Sequence, residues 1–351
     1  MQPSLEIWRI LDAAANRAGE GLRVVEEFAR FALNDAHLSR LLKECRHDLA
    51  AALASIPESN RLAARDTLGD VGTAIGTPSE YARLTPADVA RASFKRVQEA
   101  LRTLEEYGKV IDAALAQRVE QLRYRLYTAE KAVLRTAIPG ERLHDRVLYL
   151  LVTSHSCPGG FEPTIRAALV AGVGIVQVRE KQMPDRELLE HARRIRSITQ
   201  EFGALLIMND RPDLAVLADA DGVHVGQDEL TVRDARRILG PDRLVGVSTH
   251  TIEQARQAVL DGADYLGVGP TFPSHTKSFN EFAGLEFVKQ VAAEIILPWF
   301  AIGGIASDNI AAVIEVGAKR VAVSNAICGS ANPGQAAADL HFRLRQSEHA
   351  T

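Results

Sequence analysis

The sequence predicts an α/β protein, a (β/α)8 TIM barrel preceded by an all-α helical domain. Three observations carry this. From about Val147 a strand-then-helix rhythm repeats eight times, and about 200 residues for eight such units is the size of a (β/α)8 barrel. Before it, the chain is rich in Ala, Leu, Glu and Arg, with apolar residues at helical spacing. Between the two, Ala137-Ile138-Pro139-Gly140 interrupts the helical pattern. A helical domain is therefore expected over residues 1–137 and a barrel domain over 143–351. A doubly wound open sheet is the alternative for the second part, since it also alternates strands and helices.

Composition sets limits on function. A chain of 351 residues has room for two domains. Its 46% hydrophobic and 25% charged residues are ordinary for a globular protein. A net charge of −4 points to neither nucleic acid nor a membrane surface as partner. Cys45, Cys157 and Cys328 are far apart and odd in number, which implies neither a disulfide framework nor a zinc site. No basic-then-apolar leader or membrane-length apolar run is present, so a cytoplasmic protein is expected. Small-molecule substrates are the expected partners, and a homo-oligomer is compatible with the sequence.

Leu5 to Leu33 reads as helix, with Leu11, Ala15, Leu22, Val25 and Ala29 at helical spacing. Within it, Arg17-Ala-Gly-Glu20-Gly-Leu22-Arg23-Val-Val-Glu26-Glu27-Phe28 is echoed by Arg96-Val-Gln-Glu99-Ala-Leu101-Arg102-Thr-Leu-Glu105-Glu106-Tyr107. Six of the twelve positions are identical, and Phe28 corresponds to Tyr107. The echo predicts two similar helices packed together. Between them, Arg65-Asp66-Thr67-Leu68-Gly69-Asp70-Val71-Gly72-Thr73 is polar and unlike a helix. Arg65, the threonines and backbone N–H groups suit a phosphate, and Asp66 or Asp70 suits Mg2+. A structured connecting loop explains the same residues. Arg118 to Arg135 then reads as one helix, with Leu122, Leu126, Ala129 and Val133 on one face.

The strands expected in the barrel are Val147–Thr153, Ile175–Arg179, Ala204–Asn209, Gly222–Val225, Leu244–Ser248, Tyr265–Gly269, Trp299–Gly303 and Arg320–Ser324. Continuous apolar runs of this length suit parallel strands buried on both faces. Arg186–Phe202 and Thr251–Leu260 are among the helices between them. In such a barrel the chemistry lies at the C-terminal strand ends. The second strand offers Gln177 and exits into Arg179 and Lys181, a two-cation fork for an anion. The third ends in Asn209-Asp210 and the fourth runs on to Asp228-Glu229. Hard oxygen ligands on adjacent strands suit Mg2+, which takes one or two carboxylates plus substrate phosphates. Lys277 adds positive charge. Gly303-Gly304 is expected to open a helix whose bare backbone approaches a phosphate, with Ser324 and Asn325 completing the cradle. His224, His250 and His275 are by default structural or solvated.

These residues carry a resemblance. Over 147–345 the chain resembles the thiamine phosphate synthase family. The matching motifs are Gln177-Val-Arg179-Glu-Lys181, Asn209-Asp210, Asp221-Gly-Val-His224-Val-Gly226-Gln227, Gly246-Val-Ser248, Gly269-Pro-Thr-Phe272-Pro-Ser-His-Thr276-Lys277 and Ala301-Ile-Gly303-Gly304-Ile305. Such enzymes join a hydroxymethylpyrimidine diphosphate to a hydroxyethylthiazole phosphate and release pyrophosphate. The resemblance implies that Gln177, Arg179, Lys181 and Asn209 hold the pyrimidine diphosphate, with Lys277 on its diphosphate. It implies Mg2+ on Asp210 and Glu229, Ser248 near the reacting pyrimidine, and Ser274, Thr276, Gly304, Ser324 and Asn325 on the thiazole phosphate. Arg179, Lys181, Ser248 and Lys277 form its implied catalytic set.

Two positions depart from the family. Glu229 stands where Asp is usual, so either its longer side chain takes a different rotamer or Asp228 substitutes. Asn325 is not the usual residue of the last phosphate loop. A thiazole tautomerase-like isomerase, or a non-catalytic thiazole-phosphate binding protein, would need neither a diphosphate grip nor Mg2+. Arg179, Lys181, Asn209, Asp210 and Lys277 together argue against the isomerase; the binding protein would keep Gly303-Gly304 but need not keep the residues of the second and third strands. Residues 8–135 resemble a helical domain fused to some family members and similar to a hydroxymethylpyrimidine-phosphate kinase family. The loop Arg65-Asp66-Thr67-Leu68-Gly69-Asp70 and the echoed helices carry this. It implies an ATP-dependent step that makes the diphosphate; a docking or dimerisation module is the alternative.

Overall fold

The structure, a computed structural model, describes residues 3–71, 82–137, 140–273 and 283–348. It divides into two compact units, Met1–Ala137 and Ile138–Thr351.

The first unit is helical. α1 (Leu5–Glu27) buries Leu11, Ala14, Ala15, Ala18, Leu22 and Val25, the stripe its periodicity demands. It runs into a π-helical turn, Phe28–Ala32. α2 (Ala36–Leu53) starts at Asp35, whose carboxylate accepts from Leu38 N at 2.8 Å. α3 spans Glu58–Ala64. α4 (Pro86–Gly108) opens with a capping box between Thr85 and Asp88 and a proline in its first turn. α5 (Ala113–Ala137) buries Leu122, Leu126, Ala129 and Val133.

The echoed segments lie on α1 and α4, which pack together. At Gly21 the approach is so close that a Cβ would lie 2.5 Å from Val97 Cγ2. Each copy carries the same buried ion pair: Glu26 with Arg46 (2.7 Å) and Glu105 with Arg123 (2.9 Å). The pair spans 20 residues in the first copy and 18 in the second, and the π-helical turn lies within the longer one. Removing one partner strands a buried charge. Because Arg102 also reaches Glu105 (2.6 Å), Arg123→Leu is expected to cost about 2 kcal/mol, below the usual loss for an uncompensated charge. Thermal unfolding of the full chain reads this as one transition moving down. An unchanged melting profile would remove the pair from the stability of the unit.

The second unit is a closed barrel of eight parallel strands, not an open sheet. After α6 (Gly140–Leu143) come β1 (Leu148–Val152), α7 (Phe161–Val170), β2 (Ile175–Val178), α8 (Asp185–Glu201), β3 (Leu205–Asn209), α9 (Pro212–Leu217) and β4 (Gly222–Val225). They are followed by α10 (Val232–Leu239), β5 (Leu244–Thr249), α11 (Ile252–Asp261), β6 (Tyr265–Val268), α12 (Gly284–Glu294) and β7 (Trp299–Ile302). The unit ends with α13 (Ile310–Glu315), β8 (Val321–Val323), α14 (Asn325–Cys328) and α15 (Pro333–Glu348). β1 pairs with both β2 and β8, so no edge is left open.

Tyr149, Tyr265 and Phe300 meet edge-on inside the barrel, with centroids 5.2–6.1 Å apart, in one buried cluster that includes Leu143. The barrel floor is latched by two acids, half-buried Asp221 and buried Asp264. Asp221 accepts from Leu206 N (2.9 Å), Arg196 (2.7 Å) and Arg142 (3.0 Å), and Asp264 accepts from Val245 N (2.8 Å). Asp221, part of a motif read from the sequence, is thus a structural residue. Arg142, one of the three donors to Asp221, precedes residue 143, so a fragment cut there would lose that donor and keep the other two.

Candidate active site

A cavity of about 460 Å³ opens at the C-terminal strand ends. β2 contributes Gln177, and the segment beyond it contributes Arg179 and Lys181. Glu180, between them, is engaged elsewhere: its carboxylate accepts from Ser154 N (2.6 Å) and lies 3.7 Å from His191 Nε2. The alternation of an extended chain thus parts the two cations from the acid.

β3 delivers Asn209 and then Asp210, which turns the chain in the left-handed region (φ 62°). Asp is among the few residue types that tolerate this. Its amide donates to the His224 carbonyl at 2.8 Å and its carboxylate accepts from the Asn209 amide. Burial, and then the charge of Glu229, raise the Asp210 carboxyl above its ordinary range; Lys181, Asn209 and Arg179 pull it down only in part. Asp228 and Glu229 both line the cavity, and the charge of Glu229 acts on Asp210. The longer glutamate has room because residue 226 is glycine: a Cβ there would lie 2.2 Å from Glu229 Oε2. Half-buried Asp210 and exposed Glu229, two acids that repel each other, fit a divalent cation. Among the described residues no three His, Cys, Asp or Glu side chains cluster for a metal, so substrate oxygens would have to complete the shell.

On β5, Ser248 Oγ lies 3.0 Å from His224 Nε2, and His224 Nδ1 lies 3.2 Å from the Tyr265 hydroxyl. Burial pushes the His224 imidazole down to about 4, so it is neutral at pH 7. Gln227 donates to the Ser248 carbonyl at 2.6 Å. His250, read by default as structural or solvated, lines the cavity with its Nδ1 2.6 Å from the Gly269 carbonyl oxygen.

Gly303, Gly304, Ser324 and Asn325 line the β7–β8 side. Both glycines have positive φ (102° and 65°), and a Cβ on Gly304 would lie 2.6 Å from the Pro273 carbonyl oxygen. The expectation that this pair opens a helix is corrected: α13 begins only at Ile310. Asn309 instead braces the intervening loop, accepting from Ala306 N (2.9 Å) and donating to the Gly304 carbonyl (2.8 Å). An Asn directly before an apolar helix was the signal available for it. Ser274, Thr276 and Lys277, like His275, lie outside the described residues.

In the helical unit, Arg65 makes a two-pronged ion pair with buried Asp12 of α1, at 2.7 and 2.9 Å. Asp66 accepts from Gly69 N (2.8 Å) with its side chain and from Arg9 (2.9 Å) with its carbonyl. Asp70 is exposed. Arg65 therefore ties the loop to α1, and Asp66 shapes its turn.

Residues 148–327 match the family described as thiamine monophosphate synthase, and residues 9–132 match the ThiD2 family. The thiamine-phosphate synthase of Rhodopirellula baltica is 45% identical over 333 residues, covering 92% of this chain and 89% of that protein. That of Synechocystis sp. is 43% identical over 338 residues, covering 96% of each. Among solved structures, the thiamine phosphate pyrophosphorylase from Pyrococcus furiosus superposes with a TM-score of 0.54 at 32% identity. The match covers 59% of this chain and 98% of that one.

Proposed function

Because the chain belongs to the thiamine monophosphate synthase family, we infer that it is a thiamine-phosphate synthase, a transferase of thiamine biosynthesis. Its barrel couples 4-amino-2-methyl-5-(diphosphomethyl)pyrimidine to hydroxyethylthiazole phosphate. The observation that carries the reading is one cavity lined by Gln177, Arg179, Lys181, Asn209 and Asp210 on one side and Gly304, Ser324 and Asn325 on another. That lining suits two phosphorylated substrates in a single mouth.

The bond from the exocyclic methylene to the diphosphate oxygen breaks, and its electron pair leaves with pyrophosphate. The electron-rich aminopyrimidine stabilises the cation left on the methylene. The thiazole nitrogen then supplies the pair for the new C–N bond. Arg179 and Lys181 meet the charge that develops on the leaving group. Gln177, Asn209 and Ser248 orient the pyrimidine, and Gly304, Ser324 and Asn325 hold the thiazole phosphate. Leu151, Ile302 and Val323 supply apolar lining that keeps water from the cation. Asp210 and Glu229 would hold Mg2+, which supplies further neutralisation of the diphosphate. Among the described residues, no helix is long and apolar enough to cross a membrane, in keeping with small, water-soluble substrates.

The helical unit, through its ThiD2 match, is proposed to phosphorylate hydroxymethylpyrimidine phosphate with ATP, so that one chain makes and consumes the diphosphate. The test is to give the purified protein the pyrimidine monophosphate, the thiazole phosphate, ATP and Mg2+. Thiamine phosphate is the expected product. Product from preformed diphosphate alone would leave the coupling standing and remove the kinase step. Arg65→Ala is expected to abolish use of the monophosphate and spare use of the diphosphate, because Arg65 belongs to the helical unit, where it holds the loop to Asp12.

A further inference from the structure

Five side chains from five strands meet in an unbroken polar chain, of which Gln177, His224 and Ser248 line the cavity. Gln177 Nε2 lies 2.6 Å from the Tyr149 hydroxyl, which lies 3.1 Å from the Tyr265 hydroxyl. That hydroxyl lies 3.2 Å from His224 Nδ1, and His224 Nε2 lies 3.0 Å from Ser248 Oγ. Tyr149 and Tyr265 are 2% and 1% exposed and are not among the residues lining the cavity. Phenylalanine would fill their places in the aromatic layer equally well. A buried hydroxyl is tolerated only with a partner, so these two oxygens are there to bond. Glycines make the room: a Cβ on Gly246 would lie 2.1 Å from the Tyr265 ring, and one on Gly267 would lie 3.2 Å from His224 Cε1.

We propose that Tyr149, Tyr265 and His224 form a one-directional hydrogen-bond relay that couples Gln177 to Ser248 and presents the two as an acceptor and a donor to the pyrimidine. The direction follows from donor bookkeeping. The Gln177 amide nitrogen can only donate, so the Tyr149 oxygen accepts from it and Tyr149 gives its own proton to Tyr265. Tyr265 then donates to His224 Nδ1. That leaves the imidazole proton on Nε2, which donates to Ser248 Oγ. The serine proton is thereby free for the cavity. At the other end, Gln177 Oε1 is buried with no partner among the described residues, although the residue lines the cavity. An aminopyrimidine offers the complement, an amino donor and ring-nitrogen acceptors. Tyr149 and Tyr265 are positioning residues. The assignment of the ligand rests on the function proposed above; the relay itself does not.

The test reads the His224 tautomer by 15N NMR of the full chain labelled at histidine, without substrate, with His224→Gln identifying the signal. The wild-type protein is expected to carry its proton on Nε2 alone. Tyr149→Phe removes one oxygen between Gln177 and the rest of the chain. It is expected to give a mixture of tautomers and to lower kcat/KM for coupling about tenfold, the effect of one lost oriented hydrogen bond. A purely structural role for Tyr149 would leave the tautomer unmoved. If Tyr149→Phe does not fold, Gln177→Leu carries the same tautomer prediction. A wild-type proton on Nδ1, or an unchanged tautomer in the folded variant, overturns the relay. A tautomer that responds in a protein forming no thiamine phosphate would keep the relay and overturn the pyrimidine reading.

Discussion

Arg179→Ala and Lys181→Ala, made separately, are each expected to lower thiamine phosphate formation by about 10²–10³-fold, the loss that follows removal of a preorganised group facing transition-state charge. Both residues lie beyond the end of β2 at Val178, and the bonds that Arg179 makes to β1 and the turn after it, its amide to the Val152 carbonyl and its carbonyl from Thr153, are backbone bonds that side-chain truncation leaves in place. The loss should fall mainly on kcat. Charge on the leaving pyrophosphate grows as the C–O bond breaks, so these cations matter more in the transition state than in the bound substrate. Steady-state kinetics with preformed pyrimidine diphosphate measure this, with circular dichroism confirming the fold. Full activity in both variants would move the diphosphate away from this strand.

Asp210→Asn is expected to do two opposite things: abolish coupling at ordinary Mg2+ concentrations and stabilise the metal-free protein. Burial and Glu229 raise the Asp210 carboxyl, so its ionised form is a cost to the fold. The sign follows from linkage. The folded state binds this proton more tightly than the unfolded chain does. Relative to Asp210→Asn, the wild-type protein should therefore lose stability as pH rises from the ordinary carboxylate range through the raised value. Asn also suits the left-handed backbone at this position. Thermal melts in chelator across that range, with and without added Mg2+, test both claims. Glu229→Gln should raise the Mg2+ requirement, whereas Asp228→Asn should change it little. The reverse order would make Asp228 the second ligand.

Local pattern made much of this protein legible. Eight apolar runs with polar exits are enough to draw a barrel, because a parallel strand buried on both faces needs a continuous apolar stretch. The same pattern placed Gln177, Arg179, Lys181, Asn209 and Asp210 at one rim, since strand ends share a rim once the barrel closes. The helical echo was legible because α1 and α4 carry the same buried Glu at the same place.

Other features were decided only when distant segments met. Asp221 sits in the same motif as His224, yet its partners are Leu206, Arg196 and Arg142 at the barrel floor. Arg65 had the composition of a phosphate loop, but a buried Asp12 on α1 takes its guanidinium. Gly303-Gly304 reads like a helix start, yet Asn309 holds the following chain in a loop. The Tyr149–Tyr265–His224 chain is invisible in sequence, where each member is one polar residue in an apolar strand. Strand periodicity states that such a side chain points inward; which side chains it meets there depends on barrel closure and on the space left by Gly246 and Gly267.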